Sequence, residues 1–331
     1  MQQGMLSSVL LSLTLMTGSP VISATEMQPA TVEQWLQDEQ LQQKVAEMLQ
    51  YVVEDEIDSL SFALERLALP EQEVVRYLLL KKIENQQIIL SPHMAIFVEQ
   101  QKAMVPTYKI LERGDGYEFT VPAFNYPAIA SRLLKRWKQD QSTLEFVLEA
   151  ERKELNLKDW LRGSESLVQT REALLIREMD SLSPEAVSFL VEQLTEKAVT
   201  SWLPSSAVVV RLAQVSEDAN MYKLLWLMRA DYNSEHELAR LARVADTFSL
   251  QQVMLAASNP SLKAQAIQAL SRVEPMPENV KAFLVSRMTL SEEAPLVAEA
   301  LAQQGYRSWL EELIAQNPNV KHRAILGVLN P

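Results

Sequence analysis

The 331-residue sequence predicts a mainly-α fold: an α-solenoid of stacked helical hairpins, preceded by an N-terminal helical domain that contains one small β-hairpin. Three observations predict it. Glycine is scarce: only 7 occur, and Gly4 and Gly18 fall at the extreme N-terminus. Tight turns, phosphate-binding loops and nucleotide folds need the positive-φ backbone that glycine supplies, so a Rossmann domain, a P-loop or a large antiparallel sheet is disfavoured. Good helix formers (Leu, Ala, Glu, Gln) take their place. Apolar positions recur about every thirty residues from residue 183 onward. Only one pair of β-prone runs interrupts the helical pattern.

The first element is an apolar run, Met5 to Met16, of about twelve residues. That is the size of a signal-peptide core rather than a membrane span. Gly18, Ser19 and Pro20 break it, and Ile22-Ser23-Ala24 offers a cleavage site. Residues 1–24 are therefore read as a signal peptide, although its first residues carry no Lys or Arg. A buried N-terminal helix is the alternative. No other run reaches membrane-spanning length, and with no cysteine there is no lipid-modified anchor. Absence of both cysteine and an Asn-x-Ser/Thr acceptor points to a bacterial periplasm or to secretion from a bacterium.

Residues 25–163 are read as the helical domain. Thr31-Val-Glu-Gln34 fits a capping box opening a helix that carries Trp35, Leu41, Val45, Met48, Leu49 and Val52 on one face. Glu54, Asp55, Glu56 and Asp58 follow as a solvated helix face, without the glycine and alternation of a calcium loop. Pro70 suits a first helical turn, with Glu71 and Glu73 at the positive end of the dipole. A β-hairpin is expected near residues 106–122, where Thr107–Glu112 and Tyr117–Val121 flank Asp115-Gly116. Tyr117, Phe119 and Val121 would share a face and pack on helices. Two further helices are expected, from about Ala128 and about Ser142, before a break at Gly163.

Residues 164–331 are read as the solenoid. Leu224, Met254, Leu284 and Leu313 fall at intervals of 30, 30 and 29. Breaks at Asn259-Pro260, Leu290-Ser291 and Asn317-Pro318 keep the same step. Helix starts are expected at Ser183-Pro184, at a Ser234–Glu237 capping box and at Ser291. One such hairpin cannot bury its own apolar face, so neighbours must stack. Ala264, Ala266, Ala269, Ala298 and Ala300 permit close helix approach. In periodicity and alanine–leucine pattern this stretch resembles the HEAT-like class of α-solenoids. That resemblance implies a stacked-hairpin fold and a scaffold or binding surface, and it transfers no functional residue.

Chemistry is harder to find. A net charge of −12 disfavours nucleic-acid and anionic-lipid partners. The basic stretch Arg132, Lys135, Arg136, Lys138 reads as a solvated face. His93, His236 and His322 lack ligand partners at helical spacing, so no metal is assigned; no cofactor and no catalytic residue is assigned either. The candidate binding residues are Trp202, Tyr222, Trp226, Tyr232, Tyr306 and Trp309, which would form a recognition surface if exposed. Trp226 is the foremost of these, because Leu224, Leu225 and Met228 already supply a buried side around it. The leading expectation is an exported, non-enzymatic interaction or scaffold protein that binds a protein or peptide through its repeats. The alternatives are an envelope hydrolase with a carboxylate site the sequence does not single out, and an accessory subunit of an envelope complex.

Overall fold

A computed structural model describes residues 25–114, 116–195 and 202–330. The proposed signal segment lies outside these residues. The chain is 71% helical, with 18 helices and a two-stranded antiparallel sheet among the described residues. It divides into two units, one ending at Gln141 and one beginning at Ser142.

The first unit holds α1 (Pro29–Gln37), α2 (Glu39–Val53), α3 (Ile57–Glu65), α4 (Leu69–Asn85), α5 (Pro92–Ala103), β1 (Lys109–Gly114) and β2 (Tyr117–Pro122). The helix expected from Thr31 is in fact two. Asp38 ends α1 and its carboxylate accepts the Leu41 N–H at 3.0 Å, capping α2. Thr31 lies inside α1, whose first turn is set by Pro29. Asp38 wins because it can satisfy an orphan N–H of a new helix, a role Thr31 cannot fill from within a turn. Pro70 does occupy the first turn of α4, and Val74, Val75, Leu79 and Ile83 are fully buried beneath it.

The hairpin pairs Lys109 with Pro122 and Gly114 with Tyr117, and Gly116, at φ +86°, lies in the turn between the strands. Its root is fastened twice. The Lys109 N–H donates to Thr25 and its carbonyl accepts from Met27, a short parallel bridge. The buried Glu73 carboxylate on α4 accepts the N–H groups of Thr107 and Tyr108. Beyond the root the strands leave the core: Tyr117 is 78% exposed and Phe119 about half exposed, rather than packed on helices. The root is held at residues 107–110, where Ile110 also packs on the first core, while Tyr117 and Phe119 near the tip face solvent.

A single helix, α6 (Tyr126–Glu151), replaces the two expected from Ala128 and Ser142. Residues 138–142 are polar but contain neither Gly nor Pro, so nothing stops the helix. Its first half gives Ile129, Ala130, Leu133 and Leu134 to the first core, and its end gives Phe146 and Ala150 to the second. This is why the units divide within α6, whereas Gly163 was the expected boundary. Leu155 and Leu157, before Gly163, already belong to the second core.

The second unit continues with α7 (Leu157–Trp160), α8 (Glu165–Glu178), a 3-10 turn (Met179–Ser181), α9 (Pro184–Thr195), α10 (Ser206–Ser216), α11 (Ala219–Leu227), α12 (Tyr232–Val244), α13 (Thr247–Ala256), α14 (Lys263–Ser271), α15 (Glu278–Met288), α16 (Ala294–Gln303), α17 (Arg307–Gln316) and α18 (His322–Leu329). The helices form a helical-repeat-like stack in two layers. The even-numbered helices from α8 to α18 contact one another in succession, and α9, α11, α13 and α15 do the same in the other layer. The last three hairpins keep a period near thirty: their first helices begin at residues 247, 278 and 307, their second at 263, 294 and 322. Ala266 on α14 and Ala298 and Ala300 on α16 are buried, and the two helices pack on each other. Neighbouring repeats are also tied by polar bonds. The Asn259 side chain, in the α13–α14 turn, donates to the carbonyls of Trp226 and Met228 at the end of α11, and the Lys321 N–H reaches Met288 at 3.0 Å.

Two helix starts shift. The cap of α12 is Asp231, not Ser234: the Asp231 carboxylate accepts the Ser234 N–H while the Ser234 hydroxyl accepts the Asp231 N–H. A reciprocal box three residues upstream outcompetes the Ser234–Glu237 pattern, because it satisfies both orphan donors at once. Ser291 lies in a turn, and α16 starts at Ala294 with Pro295 in its first turn.

Candidate functional site

The six aromatic side chains proposed from sequence do not form one surface. Tyr222 and Trp226 are buried, Trp226 at 3% exposure, and Trp202, Tyr306 and Trp309 pack half-buried against the same core. Only Tyr232 is free, at 77% exposure, with its ring stacked on His236 at 5.9 Å. The expectation of an exposed Trp226 is thus corrected. In α11, Met221, Tyr222, Leu225 and Trp226 form the inward face, spaced i, i+1, i+4, i+5. Leu224, Leu225 and Met228 do pack on the core, but the inward face is wide enough to take Trp226 as well. Leu227, not Trp226, points outward, at 75% exposure. The Tyr222–Trp226 pair at i, i+4, stacked at 6.0 Å, was the signal for the correct face.

Beneath α10, α11 and α12 lies a closed polar network. The fully buried Glu237 carboxylate accepts from the Tyr222 hydroxyl (2.8 Å), the Gln214 amide (2.6 Å) and Arg240 Nε and Nη2 (2.8 and 2.7 Å). Burial pushes the Tyr222 phenol well above its ordinary value, and the neighbouring carboxylate adds to the shift. The bond to Glu237 raises the Arg240 guanidinium despite partial burial. Tyr222, Gln214 and two nitrogens of the partly exposed Arg240 all bond the one carboxylate, so the cluster ties α10, α11 and α12 together.

A cleft of about 420 Å³ opens in the first unit between α3 and α5. Ile57, Asp58 and Ser61 line it from α3 and Ile96, Phe97 and Gln100 from α5, with Asp55 and His93 at one end. The acidic run expected on a helix face instead makes the α2–α3 turn, where Asp55 takes a left-handed backbone (φ +58°) that aspartate tolerates. Ser91, the N-cap of α5, accepts the Met94 N–H and donates its own proton to Asp55. His93 Nδ1 lies 3.1 Å from the other Asp55 oxygen. Hydrogen bonds from Ser91 and His93 hold the Asp55 carboxyl below the usual carboxylate range. The order is serine–carboxylate–imidazole. A hydrolytic triad places the imidazole in the middle to take the hydroxyl proton, so Ser91 is capped rather than activated here. Sequence reading placed Asp55 only within a solvated acidic run and did not single out Ser91. The Ser-Pro-His start of α5 signalled the cap, but nothing local signalled its distant carboxylate partner.

Among the described residues, no group of three or more His, Asp or Glu side chains is placed to hold a metal ion, and no helix is long and apolar enough to cross a membrane. Compared with protein-family models, curated sequences and solved structures, the chain matches none. What the fold defines is a mainly-α, helical-repeat-like protein.

Proposed function

We propose that this chain is an exported, non-enzymatic interaction protein that binds a protein or peptide through the outer surface of its helical repeats. The observation that carries the reading is the division of labour in the second unit. Around Glu237 its polar groups bond one another, while the end of α11 and the start of α12 present Leu227 and Tyr232 to solvent. An exposed aliphatic and an exposed aromatic side chain close together in sequence supply the kind of anchors on which interfaces concentrate binding energy. The cell compartment follows from the Met5–Met16 run and Ala24, which direct export to a bacterial periplasm or beyond.

The test is affinity capture from an envelope fraction with the full chain, run beside Leu227→Lys/Tyr232→Ala and a remote control, Glu185→Lys on α9. A partner held by the parent and the control but lost by the double variant supports the reading. Equal recovery by all three, or none above background, overturns it. Export is checked by N-terminal sequencing of the mature protein; a chain beginning at Met1 refutes it, and one beginning at Thr25 supports it.

A further inference from the structure

We infer that the α3–α5 cleft is a second docking surface, whose occupant is a segment of a partner protein that sets a lysine or arginine beside bulky apolar side chains. The cleft is a trough rather than a hole. Its α5 wall, from His93 to Gln100, uses one helical face at i, i+3, i+4, i+7 and runs about 10 Å. The floor is apolar: Phe97 is buried and Ile57 half-buried. The α5 lip carries the apolar Ile96, 61% exposed, and the α3 lip carries the polar Asp58 and Ser61.

Shape selects the class of occupant. Sites for small molecules enclose most of the ligand surface. This trough leaves its α5 lip in water, so a small ligand on the floor would leave Ile96 uncovered. A helix or extended segment laid along the trough covers floor and lips together, which is how helix-in-groove recognition gains its area.

Charge selects the chemistry. Glu54, Glu56 and Asp58 are all exposed around the Asp55 end, and among the described residues no ion pair joins them to a lysine or arginine. Asp55 is already satisfied by Ser91 and His93. The uncompensated carboxylates favour a cation and disfavour an acidic segment. This surface lies in the first unit, so it stands or falls independently of the repeat surface.

The test uses the full chain and a fluorescein-labelled amphipathic helix built from leucine and lysine, with its leucine/glutamate counterpart as comparison, in fluorescence anisotropy at physiological salt. Ile96→Asp and Asp58→Lys change exposed cleft positions; Glu311→Lys, on the exposed face of α17, makes the same charge change far along the chain. Far-UV circular dichroism confirms that each variant is folded. The expected result is binding of the leucine/lysine peptide alone, weakened about tenfold by each cleft variant and less than about twofold by Glu311→Lys. Three results overturn the proposal: no binding, equal binding of both peptides, or equal weakening by Glu311→Lys and Asp58→Lys, which would reduce the effect to net charge.

Discussion

Glu237→Ala offers the sharpest test of how the repeat stack is held together. Glu237 is fully buried and accepts from Tyr222, Gln214 and Arg240 Nε and Nη2. Truncation removes the acceptor of the buried Tyr222 hydroxyl, which keeps only the Arg240 Nη2 donor at 3.2 Å, and of the half-buried Gln214 amide, each loss costing about 1–3 kcal/mol. Arg240 adds less than a buried ion would, because its side chain is 36% exposed and can turn to water. The expected loss is about 3–5 kcal/mol. Tyr222→Phe removes one donor and leaves the carboxylate its other partners, for about 1 kcal/mol. Replacing the set with Glu237→Leu, Arg240→Leu and Tyr222→Phe together should recover much of the loss, because what is costly is the unpaired buried group and not the missing attraction. Urea unfolding followed by circular dichroism and by tryptophan fluorescence measures all three. Both probes are needed, since repeat stacks need not unfold in one step. A Glu237→Ala loss under about 1 kcal/mol would show that water or rearrangement satisfies these donors, and the account of the network would be wrong.

Further predictions follow the same residues. The Tyr222 phenol is raised in the folded state above its unfolded value of 10.0, so its contribution is complete below that pH and is lost as pH rises through the folded value. Stability should therefore decline above pH about 10, and Tyr222→Phe should flatten the decline; equal slopes in urea titrations at alkaline pH would refute it. Asp231 holds the capping box of α12 and also accepts from the buried Ser206, so Asp231→Ala should cost about 1–2 kcal/mol in chemical unfolding. Ala298 on α16 is fully buried, and Ala298→Leu should cost about 1–3 kcal/mol by overpacking, read as a lowered Tm; an unchanged Tm would place slack at this helix contact.

How much was legible depended on the range of the determining interactions. The hairpin at residues 109–122 could be read because Asp115-Gly116 and the alternation beside it are local. The hairpin period could be read because stacking imposes the same apolar spacing on each repeat. Errors came where a neighbour in sequence competed or a partner lay far off. Thr31 and Ser234 have cap-like sequences, but Asp38 and Asp231 satisfy the free N–H groups first. Asp55 could not be paired with Ser91 and His93 from sequence, because they are brought to it only when α3 packs on α5. The tip of the hairpin looked like core because alternation marks a face, and nothing in alternation says what covers that face.

The aromatic residues show why composition misleads about function in a helical repeat. A tryptophan in a hairpin can serve as a binding anchor or as filler between layers, and the two uses look alike in sequence. Rotational phase separates them. In α11 a turn of one residue about the helix axis exchanges Trp226 for Leu227 as the outward side chain. Phase is fixed by polar as well as apolar contacts: Tyr222 must face Glu237, and Trp226, four residues on, is carried inward with it. The buried carboxylate of α12 thus determines which side chain of α11 meets solvent. Loss of the Glu237 network should accordingly change what the α11–α12 junction presents as well as how stable the stack is, and the proposed binding through Leu227 and Tyr232 should weaken in Glu237→Ala even where the variant remains folded.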